Sequence, residues 1–290
     1  MLSRRKFLLL AATLFATALP VAIFSRMYFY EPAQLVVTHV RVPVKQWAGT
    51  RRRATFCAVG DLHLRREDSA RALDIVSKML AQKPDAFLLL GDYTHGHTRK
   101  DSMSPREIAR NLAPLAAGGT PCFAVLGNHD AYGGREAFAN EFAEVGIELF
   151  TEAGTQVFRL GNGTEILIGG TLDAPSFFGI FDKSCVPENP EPNVRPFVLL
   201  THSPDIAPYL NETVDLTLCA HTHGGQICLP GGIPICTSTR TALGRKYVYG
   251  LTDVPAGGKI FTTRGTGTSM LPFRLFCLPE IVVVELVPAE

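Results

Sequence analysis

Charge of either sign is scarce in this chain and nearly cancels: 28 Lys and Arg face 27 Asp and Glu over 290 residues, leaving a formal net charge of +1. A nucleic-acid binder would carry a strongly basic face, so this balance argues against a polyanion partner, and Arg51-Arg52-Arg53 reads as a solvated start to a strand. Missing too are a Gly-rich loop ending in Lys-Ser/Thr, a nucleophile elbow and a paired-cysteine redox motif. Their absence removes P-loop, serine-hydrolase and thiol-disulfide chemistry. None of the seven cysteines has zinc-site spacing, and the odd number leaves at least one thiol without an intramolecular partner. Cys57, Cys122 and Cys219 sit in or beside apolar runs as small buried residues, whereas Cys228 and Cys236 bracket a Pro-Gly-Gly turn and could bridge in an oxidising compartment. Low complexity and internal repeats are absent, and 46% hydrophobic residues suffice for one large core.

What the chain does have is a recurring strand end. Apolar, β-prone runs at 55–59, 87–90, 123–126, 197–200 and 216–219 stop at Gly60-Asp61-Leu62-His63, Gly91-Asp92, Gly127-Asn128-His129-Asp130, Thr201-His202 and Ala220-His221-Thr222-His223. A single Asp or His after a strand is usually a turn or cap residue. Five such tips carrying Asp, Asn and His read as one site, because ligands in open α/β sheets bind beyond the carboxyl ends of the strands. Carboxylate, carboxamide and imidazole donors without a thiolate favour Mn, Fe, Zn or Mg, with manganese the first choice.

In order, Asp61-Leu62-His63, Gly91-Asp92 with Gly96, Gly127-Asn128-His129-Asp130, His202 and His221-Thr222-His223 resemble the motif blocks of the calcineurin-like metallophosphoesterases. Arg264-Gly265-Thr266-Gly267-Thr268-Ser269, with Leu271-Pro272-Phe273-Arg274-Leu275-Phe276 and Pro279-Glu280-Ile281, is similar to a membrane-associated, often exported bacterial branch of that family. The matching blocks span about residues 55–287, and Ala220 stands where the family usually has Gly, a change expected to shift the backbone only slightly. The resemblance implies an α/β fold, a four-layer α/β/β/α sandwich of two mixed β-sheets flanked by helices. It places Asp61, His63 and His223 on one divalent metal ion, Asn128, His202 and His221 on a second, and Asp92 between them. A shared carboxylate of this kind lets a bridging water lose its proton near neutral pH and attack the phosphorus. His129 would bind a phosphate oxygen or protonate the departing alkoxide, Asp130 would orient it, and Arg264 and Arg274 would either clamp phosphate or serve as surface charges.

Element signals run through the same stretch. Residues 31–47 alternate as an edge strand and linker; 69–81 and 105–117 show helical spacing, the second opened by the capping box Ser104-Pro105-Arg106-Glu107; 134–145 is a third helix. Gly161-Asn162-Gly163 between 157–160 and 165–168 signals a hairpin, and strands are expected near 247–249, 259–262 and 281–287. Phe177-Phe178-Gly179-Ile180-Phe181 either lines an apolar approach to the site or covers the core beneath a loop.

At the amino terminus Arg4-Arg5-Lys6 precedes residues 7–24, which carry no charge, and Met27-Tyr28-Phe29-Tyr30 follows as an aromatic belt. The expected organisation is a signal or membrane anchor over 1–30, an edge strand and linker over 31–54, and the catalytic domain over 55–290. Basic charge before the apolar run places that domain on the outer face of the cytoplasmic membrane. Ser3-Arg4-Arg5-Lys6-Phe7-Leu8 resembles a twin-arginine export signal, and Ala16-Thr17-Ala18 leaves cleavage open, with retention as an anchor favoured. The functional expectation is a dinuclear-metal phosphoesterase acting on phosphodiester or pyrophosphate bonds, with a lipid-linked substrate suiting the leader. Hydrolysis of UDP-2,3-diacylglucosamine is one activity within the family, although that cytoplasmic substrate pulls against an outward-facing domain. A non-catalytic metal-binding scaffold is the expectation from another class.

Overall fold

In the computed structural model the described residues are 4–47, 49–96, 100–171, 181–236 and 241–290; within the first helix the side chains of 7–15 fall outside them. Ser3 of the leader motif and residues 177–180 of the expected apolar approach lie outside as well, while Phe181 is buried in the core. Helix α1 (Arg4–Ser25) passes through short π and 3-10 turns into β1 (Val36–Val44). Then come β2 (Ala54–Val59), α2 (Ser69–Ala81), β3 (Ala86–Leu89), α3 (Pro105–Ala117), β4 (Cys122–Ala124), α4 (Arg135–Glu144) and β5 (Glu148–Leu149). The second half runs through β6 (Gly154–Arg159), β7 (Glu165–Gly170), β8 (Phe197–Leu200) and β9 (Leu216–Cys219). It continues through a small hairpin of β10 (Cys228–Leu229) and β11 (Ile233–Pro234), then β12 (Gly250–Asp253), β13 (Lys259–Thr262) and β14 (Glu280–Pro288).

Two mixed six-stranded sheets result, ordered β1-β14-β2-β3-β4-β5 and β12-β13-β9-β8-β7-β6. In the first, β2 to β5 run parallel, and β14 enters antiparallel to β2 and parallel to β1. In the second, β7, β8, β9 and β13 run parallel between antiparallel edges. Strand alternation divides the apolar residues between two faces. Phe56 and Ala58 of β2 with Val198 and Leu200 of β8 fill the core between the sheets. Cys57 and Val59 turn outward against Ile75, Met79, Leu112 and Phe142 of the helices. Both faces of these strands are buried, which explains the unbroken apolar runs. Over the outer face of the second sheet, Ile206 and Ala207 of a 3-10 turn (Pro204–Tyr209) cover Phe197 and Leu199.

Helices α2 and α3 have the bounds their spacing predicts, and α3 opens on the complete Ser104/Glu107 capping box. The strand expected near 247–249 forms instead at Gly250–Asp253, because Tyr247 and Val248 are buried and the Val248 carbonyl accepts the Thr222 hydroxyl. No helix among the described residues is long and apolar enough to cross a membrane. The anchor expected over 1–30 falls on α1, whose side chains at 7–15 lie outside the described residues. Cys228 is a buried free thiol that donates to Gly224 O at 3.4 Å, so it turns inward rather than across the turn to the exposed Cys236.

Candidate metal centre

Five parallel strands deliver the polar side chains to one place: β2 presents Asp61 and His63, β3 Asp92, β4 Asn128 and His129, β8 His202, and β9 His221 and His223. The tips are laced together by backbone bonds, Asp61 N–H to Gly91 O at 3.0 Å, His63 N–H to Asp92 O at 2.9 Å and Ala220 N–H to His202 O at 2.9 Å. Across the two sheets His202 Nδ1–H donates to Leu90 O at 2.8 Å and His221 N–H donates to Asp61 Oδ1 at 3.0 Å. Asp61, His63, Asp92, His221 and His223 all hold positive φ, between 44° and 70°, a region L-residues seldom occupy outside turns and functional sites. Ala220 is accommodated because it faces Gly60: a Cβ on Gly60 would stand 2.5 Å from the Ala220 methyl.

Within this cluster Asp92 is central. Its Oδ2 lies 3.2 Å from His202 Nε2, 3.6 Å from His63 Nε2 and 3.9 Å from His129 Nε2. His63 Nε2 and His223 Nε2 are 3.0 Å apart, and His221 Nδ1 lies 3.2 Å from His202 Nε2. Two triads, Asp61/His63/His223 and Asp92/His202/His221, thus converge ligand atoms to within 4.8 Å of one another. Nδ1 of His63 and of His202 donates to the carbonyls of Thr94 and Leu90, which fixes the tautomer and leaves Nε2 as the ligand atom. Burial pushes the Asp61 carboxyl up to about 6, with His202 opposing the rise and Asp92 adding to it. Burial also opposes ionisation of Asp92, yet His202, His63 and His129 around it hold its carboxyl far below the usual range. Burial drives the His63 imidazole well below its ordinary value, into its neutral, ligating form. Asp61 Oδ2 and Asn128 Oδ1 are buried without a hydrogen-bond partner. Orphaned acceptors beside clustered imidazole nitrogens are what a divalent cation would satisfy, so the residues present fit a metal pair.

The other expected site residues are placed differently. Asp130 is fully buried, and its carboxylate accepts the backbone N–H groups of Asp92, Tyr93, Thr94 and Gly127 and the Thr94 hydroxyl, at 2.7 to 3.0 Å. It pins two tips together, whereas the His129 ring is oriented through Nδ1–H to Gly96 O at 2.8 Å. The Arg264 guanidinium is engaged by the buried Glu280 and lies over the Tyr249 ring. Arg274 is fully buried, donating to the carbonyls of Arg264, Gly265, Gly267 and Cys277. All three Arg274 nitrogens, and Nε and Nη2 of Arg264, are thus spent on the framework that holds the closing stretch. That stretch presses against the first tip: Gly267 N–H donates to Asp61 O at 2.7 Å, and a Cβ on Gly265 would stand 2.5 Å from the Asp61 Cβ. Gln226 clamps Ser269 and Leu271 through its carboxamide. The bracing roles of Glu280, quoted above only as part of a matching block, and of Gln226 escaped the sequence reading, since their partners are backbone groups and distant side chains that leave no spacing signal; His95, in a cleft beside His63, was traceable only through its place next to Gly96.

A sheet pair presenting Asp, Asn and His at strand ends forms a centre suited to a divalent metal pair. Residues 54–225 match the family described as calcineurin-like phosphoesterase; the chain belongs to that family and is a metal-dependent phosphoric ester hydrolase. It is 32% identical over 293 residues to a protein named Phosphodiesterase YaeI from Escherichia coli (strain K12), covering 99% of this chain and 100% of the relative. With the uncharacterized metallophosphoesterase YkuE of Bacillus subtilis (strain 168) it shares 31% over 212 residues, 70% of this chain and 68% of the relative. Among solved structures it is similar to a 5'-nucleotidase precursor from Thermus thermophilus, at 14% identity and a TM-score of 0.45, covering 81% of this chain and 54% of that one.

Proposed function

We propose that the protein is a phosphodiesterase, with pyrophosphate bonds as its second bond type, and that its substrates are lipid-linked. The observation that carries the reading is the position of Asp92, which belongs to the triad with His202 and His221 and whose carboxylate also faces His63 of the other triad, and His129. Asp61, His63 and His223 would hold one cation, Asn128, His202 and His221 another, and Asp92 both; manganese is the first to test, then iron, zinc and magnesium. When bound, such a pair supplies positive charge to the phosphoryl oxygens and lowers the pKa of water. His129 would act as proton donor in its imidazolium form: its Nδ1–H is held by Gly96 O, which turns Nε2 to the Asp92 side of the site, 3.9 Å from the carboxylate. The name of the Escherichia coli relative supports a diester substrate.

Exposed Phe24 and Phe29, whose rings pack on the exposed Tyr28, support the lipid link, because apolar side chains of this size seldom stand together in water without a partner. The basic start of α1 supports membrane association with the catalytic domain on the outer face, reached by twin-arginine export. A hydrolysis panel on the metal-loaded protein tests the reading, comparing aryl monoesters, aryl diesters, nucleotide sugars and phospholipids. Diesters are expected to be cleaved at least about tenfold faster than monoesters. No turnover on any of them after full metal loading would favour the non-catalytic scaffold. Selective turnover of a diacylated nucleotide sugar would favour the UDP-2,3-diacylglucosamine pyrophosphatase reading.

A further inference from the structure

Next to the ligand cluster lies a cleft with a cavity volume of about 260 Å³, reaching from His63 to Tyr28 at its mouth. It is lined by the stretch 266–268 and by Arg65, Arg71 and His95, with Glu67 and Asp68 among them. Two atoms there are out of balance. Thr266 is only 4% exposed, and its Oγ1 has no hydrogen-bond partner. Arg71 spends Nη2 on the carbonyls of Leu62 and His63 and on Asp68, while its Nη1 is buried and has no partner. A buried donor left unsatisfied is costly, and native proteins keep few of them without a reason. A guanidinium nitrogen can only donate, so whatever completes this site must bring acceptors. Of the two carboxylates that line the cleft, Glu67 and Asp68, the second is already engaged by Arg71 Nη2 and by the backbone N–H of Arg65.

We propose that this cleft is a second anion subsite, which receives an oxyanion group of the substrate beyond the scissile phosphorus. The inference rests on the phosphoesterase reading and narrows its substrates to diphosphates and to diesters whose alcohol carries a further phosphate or carboxylate. Thr266 and the Arg71 Nη1 are its fixed donors and Arg65 supplies charge from the wall. The spacing between the two anion positions is set by backbone, since Thr266 N–H is bonded to Gly60 O at 3.2 Å and Gly267 N–H to Asp61 O at 2.7 Å. A side chain on Gly267 would collide with the carbonyl oxygens of Leu62 and Asp61, which is why the wall can approach so closely. Neither Tyr28 nor Thr266 falls within residues 54–225, so the selectivity would come from segments outside the family match.

Calorimetric titration of the manganese-loaded protein with methylenediphosphonate, and with methylphosphonate as the single-anion control, tests the subsite. Metal content is checked after each titration. The diphosphonate should bind the parent at least about tenfold more tightly than the control, and Thr266→Val or Arg65→Gln should remove about tenfold of that advantage while leaving methylphosphonate unchanged. Thr266→Ser keeps the hydroxyl and should bind like the parent, which separates the lost hydrogen bond from a damaged fold. Phosphonoacetate distinguishes the sources: binding equal to the diphosphonate supports a carboxylate in the subsite, and weaker binding supports a phosphoryl group. Diphosphonate affinity at the parent value in both Thr266→Val and Arg65→Gln would overturn the proposal and leave the cleft to ordered water. Failure of the parent to bind either phosphonate, with no hydrolysis of an aryl diester, would instead bring down the phosphoesterase reading and this inference with it.

Discussion

Five of the proposed ligands, Asp61 at φ 49° and His221 at φ 70° among them, are held in left-handed backbone conformations by their neighbours before any ion arrives. Each such residue costs on the order of 1 kcal/mol, and the backbone bonds between tips offset it. The site is consequently preorganised, and its weakest point is the Asp92 carboxylate, which belongs to one triad and faces His63 of the other. Asp92→Asn keeps the shape but removes the charge; elemental analysis should find far less bound metal than in the parent, and full loading would remove Asp92 from its proposed place. His129 separates from the ligands by its dependence on the leaving group. General-acid help contributes roughly 10² to 10⁴-fold where the departing oxygen is strongly basic, and little where a nitrophenolate leaves. His129→Ala should therefore lose far more activity on an alkyl diester than on an aryl one, with metal content at the parent level. Equal losses would make it a binder of phosphoryl oxygens, and loss of metal would make it a ligand or the support of one.

At the scale of elements, the segment from β13 to β14 is fastened from inside by Glu280, which is fully buried. It accepts from the hydroxyls of Thr38 and Thr263 and from the backbone and guanidinium of Arg264. Removing one partner of a buried pair leaves the other uncompensated. Glu280→Ala should cost about 3 kcal/mol in denaturant unfolding, more than an exposed ion pair is worth. A cost under about 1 kcal/mol would show that water replaces the carboxylate. This bracing could not be read in advance, because Glu280 and Arg264 lie sixteen residues apart with no periodic signal between them. The strand tips could be read, since Asp61, Asp92, Asn128, His202 and His221 each end an apolar run that local propensity already marks as a strand. Helices α2 and α3 were equally plain from their 3.6-residue spacing and the Ser104 cap. Pairs as short as β5 and β10 with β11 carry no pattern of their own and exist only through their partners. The displacement of β12 has the same origin: its position follows the antiparallel register of Gly250 with Thr262, which no local run of residues announces.

Over the whole molecule, the two ends of the chain meet. Arg274 N–H donates to Met27 O at 3.0 Å, Glu31 accepts Cys277 N–H at 3.3 Å and pairs with Arg26, and Phe24 and Tyr28 stack edge-on against Phe273. Deleting residues 1–22 leaves these contacts in place and should not change the melting temperature measurably. Deleting residues 1–34 removes them all, and should lower melting by several degrees and open residues 264–280 to proteolysis; equal melting of the two truncated forms would deny the amino-terminal segment its structural part. The position of β14 carries this further. The last strand of the chain does not lie at an edge but between β1 and β2, with register to both. A ribosome delivers the chain from its amino end, so β1 and β2 emerge long before β14 and each keeps one flank unpaired until it arrives. Synthesis and assembly thus run in different orders in this sheet, and the nascent chain must be kept from joining strand edges with other chains until β14 is released.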